Sequence, residues 1–157
     1  MRVASPESDE LWAGYLRCRY VNLYEPFGLP ESVTTSELDT PRVRPDVLHR
    51  LVLSDEGSIA AVGRLDLQPE HAEGPSAQLR YCAVDVPFRG RGAGQLLLSS
   101  LEEAALERGL GRLWMEAREA ALRFYLRMGY RDIGVGPTKW GLIPHRILEK
   151  NLRSGGR

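Results

Sequence analysis

Arg89-Gly90-Arg91-Gly92-Ala93-Gly94 is the stretch of this chain whose residue types and spacing most plainly point to chemistry. It stands between an apolar run ending near Val84 and a helical run beginning at Gln95. Glycines let a backbone approach a ligand closely, and the first N–H groups of a helix lack intrahelical acceptors. A glycine turn entering a helix therefore presents donors to an anion, with the helix dipole behind them. Arg89 and Arg91 add positive charge. Two common phosphate cradles are excluded. A P-loop needs Gly-Lys-Ser/Thr where this chain has Gly94-Gln95-Leu96, and a dinucleotide fingerprint counted from Gly90 needs glycine where Gln95 stands. What remains is Arg-x-x-Gly-x-Gly, which taken alone also serves as an ordinary strand-to-helix turn.

Other residues offer proton chemistry, each beside a structural alternative. Tyr125 falls on the apolar face of a helix, where position alone reads as a core aromatic with its hydroxyl satisfied. His145 follows Ile143-Pro144 at the entrance to the last strand, where a lone histidine more often stabilises a turn than catalyses. Glu116 and Glu119 flank the helix of Tyr125, as bases or as charges at its N-terminus. Cys18 and Cys82 are the only cysteines, and no Cys/His cluster has zinc spacing. Neither a disulfide framework nor a metal is expected, and a reducing compartment fits. Cys82 has no paired base and reads as a small buried thiol, not a nucleophile.

The elements that position these groups follow from periodicity. A short strand at 2–4 precedes Ser5-Pro6-Glu7-Ser8, capping chemistry for a helix with Leu11, Trp12, Tyr15, Leu16 and Arg19 at helical spacing. Residues 25–45, with four prolines, read as a loop with some helix. Runs at 48–53 and 59–67 flank Ser54-Asp55-Glu56-Gly57 and form an antiparallel hairpin. A strand at 77–84 leads into the glycine turn. The helix after it is striped by Leu97, Leu98, Leu101, Ala104 and Ala105 and stopped by Gly109. A strand at 112–117, a helix at 119–128, and strands near 130–135 and 146–151 complete a mixed α/β sheet protein.

At 157 residues the chain is expected to be one domain, 1–157. Its 21 basic and 21 acidic residues balance, which argues against nucleic acid or an anionic membrane as partner and favours a small molecule. The first ten residues are polar and acidic, and no apolar run reaches membrane-spanning length, so a cytoplasmic protein is expected.

The Arg89–Gly94 motif resembles the acyl-CoA-binding signature of the GNAT superfamily of N-acetyltransferases. A second segment, Ala117-Arg118-Glu119-Ala120-Ala121-Leu122-Arg123-Phe124-Tyr125-Leu126-Arg127-Met128-Gly129-Tyr130, is similar to the family's Ala-x-x-x-Ala-x-x-Phe-Tyr-x-x-x-Gly-Phe/Tyr pattern. A third, Gly141-Leu142-Ile143-Pro144-His145, looks like the closing strand of its ElaA-like branch. Leu16-Arg17-Cys18-Arg19-Tyr20-Val21 with Glu25 more loosely resembles that branch's first helix.

The resemblance implies a mostly antiparallel sheet with splayed parallel central strands flanked by helices, and acetyl-CoA as cosubstrate. It implies that Arg89, Gly90, Arg91, Gly92, Ala93, Gly94 and Gln95 hold the diphosphate, chiefly through backbone N–H groups. The backbone of Cys82, Ala83 and Val84 meets the pantetheine arm, with Phe124 and Tyr125 also at the cofactor. Many members carry an asparagine before this Phe-Tyr pair. Here Arg118 is the candidate substitute, and the local contact and the base stay open. Tyr125 then protonates the departing thiolate, while His145 lies on the acceptor side and Glu116 is an alternative base. The acceptor is a small-molecule or peptide amine, and the protein a monomer or homodimer. Glu31, Glu37 and Asp39 in the 25–45 loop either favour a cationic amine or do nothing specific. A GNAT-like module that binds acyl-CoA without turnover is the alternative.

Overall fold

The computed structural model describes residues 1–34 and 42–153, so the expectation for Glu37 and Asp39 falls outside the described residues. The strands are β1 (Arg2–Ala4), β2 (Val47–Leu53), β3 (Ile59–Gln68), β4 (Ser76–Val84), β5 (Arg112–Arg118), β6 (Arg131–Lys139) and β7 (Ile143–Asn151). The helices are α1 (Asp9–Leu23), α2 (Ala93–Glu107) and α3 (Leu122–Arg127). The strands form one sheet in the order β1-β2-β3-β4-β5-β7-β6. Pairing is antiparallel for β1 with β2, β5 with β7 and β6 with β7, and parallel for β4 with β5. This is the expected mixed α/β architecture. Among the described residues no helix is long and apolar enough to cross a membrane.

The chain divides into two compact units, Met1–Leu65 with Tyr81–Leu101, and Asp66–Arg80 with Glu102–Arg157. In the first, Ser8 caps α1, its hydroxyl accepting from the Leu11 N–H at 3.0 Å. That satisfies one of the helix's orphan donors, so Ser8→Ala is expected to cost about 1 kcal/mol, read as a lower urea midpoint at unchanged slope. The apolar face of α1 brings Tyr15 and Cys18 against Leu51, Leu53, Val62 and Ala83, with Trp12 and Leu16 at the margin. The β2–β3 turn forms as expected, with Ser54 N–H donating to Ser58 O at 2.8 Å.

In the second unit, Leu113, Met115 and Ala117 of β5 are buried while the alternate residues are only partly so. The parallel register of β4 with β5 runs from Ser76↔Arg112 to Leu79↔Met115, and both strands continue past it. Several expected boundaries shift, and β7 begins at Ile143 instead of near 146. The expected 119–128 helix is a 3-10 turn, Glu119–Ala121, followed by the six-residue α3, with Ala121 at φ −99, ψ 0 between them. β6 runs on to Lys139, past its expected end near 135, through Gly136 and Pro137. An edge strand tolerates them, and the register with β7 shifts between Asp132 and Gly134 and again between Val135 and Thr138.

Candidate functional site

In the first unit β4 carries an irregularity the sequence does not announce: Tyr81 has φ 55, a left-handed backbone at a bulky residue. After the strand, Asp85 N–H donates to Ala60 O at 2.9 Å, and Val86–Phe88 form a 3-10 turn closed by Phe88 N–H to Asp85 O at 2.9 Å. Gly90 and Gly92 follow with φ 74 and 89, conformations that suit glycine. α2 starts at Ala93, two residues before the sequence suggested, and Leu96 N–H donates to Gly92 O at 3.0 Å. The N–H groups of Ala93, Gly94 and Gln95 precede this first tied amide and have no intrahelical acceptor. A Cβ on Gly90 or Gly92 would meet nothing within 4 Å. An open glycine bend ending in unclaimed helix-start donors is the donor set a diphosphate requires, so the residues fit one.

The two arginines of the motif are engaged locally. Arg89 Nε donates to Val84 O at 3.0 Å, and its Nη2 to Asn22 Oδ1 at 3.2 Å. Asn22 in turn donates from Nδ2 to Cys18 O at 2.8 Å and to Asp85 Oδ1 at 3.0 Å. Arg89 thus fastens the end of β4 to α1 and shapes the cradle. Arg91 Nη1 reaches Pro87 O at 3.4 Å, with its guanidinium 5.5 Å from the Phe88 ring centre. Nearby, Cys18 is buried and its thiol is pushed up to about 12 by desolvation, so it stays protonated and inert.

In the second unit, Arg118 and His145 face each other across the β5–β7 pairing, with Glu116 opposite Ile147. Glu116 Oε1 pairs with Lys139 Nζ at 3.1 Å, which ties the carboxylate down. His145 is buried, and its Nδ1 sits 2.7 Å from Ile143 O. A carbonyl can only accept, so Nδ1 carries the proton and Nε2 keeps a lone pair. β6 passes close behind it: a Cβ on Gly136 would lie 3.1 Å from the His145 carbonyl oxygen, so this glycine is required by close approach. Tyr125 is buried in α3, its ring edge-on to Phe124 at 5.1 Å and to Tyr130 at 6.0 Å.

Burial holds the His145 pKa below its ordinary value of 6.5, outweighing the opposing backbone hydrogen bond, with Lys139 and Arg118 adding repulsion. The native imidazole is therefore neutral near pH 7. Between its depressed folded pKa and 6.5 the unfolded chain binds more proton than the native one, so stability is complete above 6.5 and declines as pH falls. Thermal midpoints measured across that window should fall with acidification, and His145→Gln should flatten the slope.

A family model described as the acetyltransferase (GNAT) family matches residues 11–130. The chain belongs to that family. A relative in Bacillus subtilis (strain 168), the uncharacterized N-acetyltransferase YitI, is 28% identical over 87 residues, covering 55% of this chain and 58% of its own. The match thus spans little more than half the length of that relative. The crystal structure of an aminoglycoside 6'-N-acetyltransferase complexed with coenzyme A superimposes with TM-score 0.78 at 15% identity, covering 97% of each chain. The ribosomal-protein-S18-alanine N-acetyltransferase from Escherichia coli does so with TM-score 0.71 at 23% identity, covering 96% of this chain and 93% of its own. These likenesses show the fold.

Within this GNAT-family protein, sequence reasoning missed Tyr81 and Asn22. Nothing local marks Tyr81, a bulky aromatic within a strand. Asn22 carried a weak signal, an amide in the last turn of a helix beside a Leu, but its partners Asp85 and Arg89 lie more than 60 residues away in sequence.

Proposed function

We propose that this chain is a single-domain, acetyl-CoA-dependent N-acetyltransferase that transfers an acetyl group to a primary amine of a small molecule or peptide by direct attack. The observation that carries this reading is the glycine bend at Gly90–Gly92 opening onto unclaimed amides at the start of α2. Acetyl-CoA supplies the thioester acyl donor. The amides from Arg91 to Gln95 hold its diphosphate, with Arg89 bracing the bend, and the backbone of Cys82, Ala83 and Val84 holds the pantetheine arm. One N–H of that strand segment stabilises the oxyanion as charge develops.

In unit two, Tyr125 Oη holds the proton for the leaving sulfur, flanked by Phe124, and Arg118 serves where relatives carry asparagine. An ammonium nitrogen has no lone pair, so a base must remove its proton. His145 fits that role better than Glu116: its Nε2 keeps a lone pair on an imidazole that burial holds neutral, whereas Glu116 is held by Lys139. No covalent enzyme intermediate is needed, and half-buried Cys82 stays out of the chemistry. The Gly141–His145 segment supports placement in the ElaA-like branch. A cytoplasmic location and a monomer or homodimer complete the proposal. Calorimetric titration with acetyl-CoA tests it: saturable binding is expected, and a folded protein that binds neither acetyl-CoA nor CoA would overturn it.

A further inference from the structure

A positive charge is sealed inside the first unit with no carboxylate of the described residues to meet it. Arg19, on α1, is 0% exposed. Its Nη2 donates to Tyr15 Oη at 3.1 Å, while Nε and Nη1 have no hydrogen-bond partner. No carboxylate pairs with it among the described residues. Its guanidinium is stacked between two rings, 4.3 Å from the centre of Tyr81 and 5.1 Å from that of Tyr15. Arg64 brings a second buried guanidinium 5.9 Å from the same Tyr81 ring.

Tyr15 cannot supply the missing charge. Its hydroxyl donates to Gly63 O at 3.0 Å and sits 2.9 Å from His49 Nδ1, so its oxygen is fully used. Burial pushes its pKa up to about 12 despite the pull of Arg19, and it remains a neutral phenol. The tyrosine orients the guanidinium and leaves its charge standing. A buried cation with no counter-charge beside it is strongly disfavoured. Such a cost is accepted in a free protein where a ligand will supply the counter-charge. Tyr81 adds a second mark of a ligand clamp, the strained φ of 55 that places its ring on Arg19. In the Tyr15–Arg19–Tyr81 stack only Tyr81 is half-exposed.

We propose that the amine acceptor carries an oxyanion, a carboxylate or a phosphate, and that Arg19 receives it. This rests on the acetyltransferase reading above and adds the substrate class. Arg19 Nε and Nη1 donate to the oxyanion, Arg64 adds attraction, and Tyr81 is the cover that moves.

The test uses protein saturated with CoA, so that the glycine cradle is filled, and follows thermal unfolding in acetate, inorganic phosphate and chloride at matched ionic strength. Acetate or phosphate should raise the midpoint above chloride, whichever does so naming the anion, and Arg19→Gln should erase the rise while Arg19→Lys keeps part of it. Equal midpoints in all three salts, or a rise that survives in Arg19→Gln, would overturn the assignment. Should Arg19→Gln fail to fold, the native contrast with chloride and its loss in Arg64→Gln decide the matter. In turnover, β-alanine against β-alaninamide and O-phosphoethanolamine against ethanolamine separate the two sources. The anionic member of one pair should lead by about 10- to 100-fold in kcat/KM, the range a charge-assisted hydrogen-bond set gives. Equal rates within each pair would count against the proposal. CoA titration of the native protein is run separately, and its failure would sink the acetyltransferase reading, whereas a missing anion response with CoA bound would sink this assignment alone.

Discussion

Gly92→Trp is expected to weaken acetyl-CoA binding by about 100-fold or more, the equivalent of losing two or so charge-assisted hydrogen bonds to the diphosphate. Binding and folding respond separately to this substitution. A side chain at Gly92 finds open space in the free protein, with nothing within 4 Å of its Cβ, so it meets no packing conflict. The fold pays only for placing a non-glycine residue at φ 89, roughly 1–2 kcal/mol. The indole instead fills the volume the phosphates would take and blocks the amides of Ala93 to Gln95. Calorimetry with acetyl-CoA, alongside the thermal midpoint, reads the two effects separately. Unchanged affinity in a folded Gly92→Trp protein would mean that the diphosphate is held elsewhere.

Tyr125→Phe should lower kcat by about 100-fold, the low end for loss of a positioned general acid, and leave KM for acetyl-CoA nearly unchanged. The low end is the right choice because a thiol with an ordinary pKa of about 8.5 already leaves tolerably as thiolate. Phenylalanine keeps the edge-on ring contacts to Phe124 and Tyr130, so the packing of α3 survives and the rate effect belongs to the hydroxyl. Steady-state rates with a competent amine check this. A kcat within twofold of native would remove the hydroxyl from the proposed chemistry.

Much of this arrangement was legible in the sequence because it is local. Ser8 capping α1, the Ser54–Gly57 turn, and the glycine bend into α2 each depend on residues within a few positions of one another, and each forms as expected. The parallel β4–β5 pair was not readable from spacing and came only with the family resemblance. The misses share a different cause. The strand expected near 130–135 continues to Lys139, and it does so through Gly136, where a Cβ would lie 3.1 Å from the carbonyl oxygen of His145, a contact nine residues away in sequence. Arg89 looked like a surface charge or a phosphate ligand, and its inward role needs Asn22, 67 residues earlier. Arg19 fell at the right spacing for the buried face of α1, but that its guanidinium would be buried against Tyr81 and near Arg64, with no carboxylate of the described residues beside it, depends on two other strands.

The central claim is that the chain moves an acetyl group from acetyl-CoA to an amine. The measurement that tests it most directly is release of free CoA thiol from acetyl-CoA by the purified protein with a panel of primary amines, with the N-acetyl product quantified in the same samples. The account predicts thiol release that depends on the amine, matches the acetylated product one for one and collapses in Gly92→Trp. Acetyl-CoA that binds but is consumed with none of the amines, or only at the rate of buffer hydrolysis, would contradict it and leave an acyl-CoA-binding module.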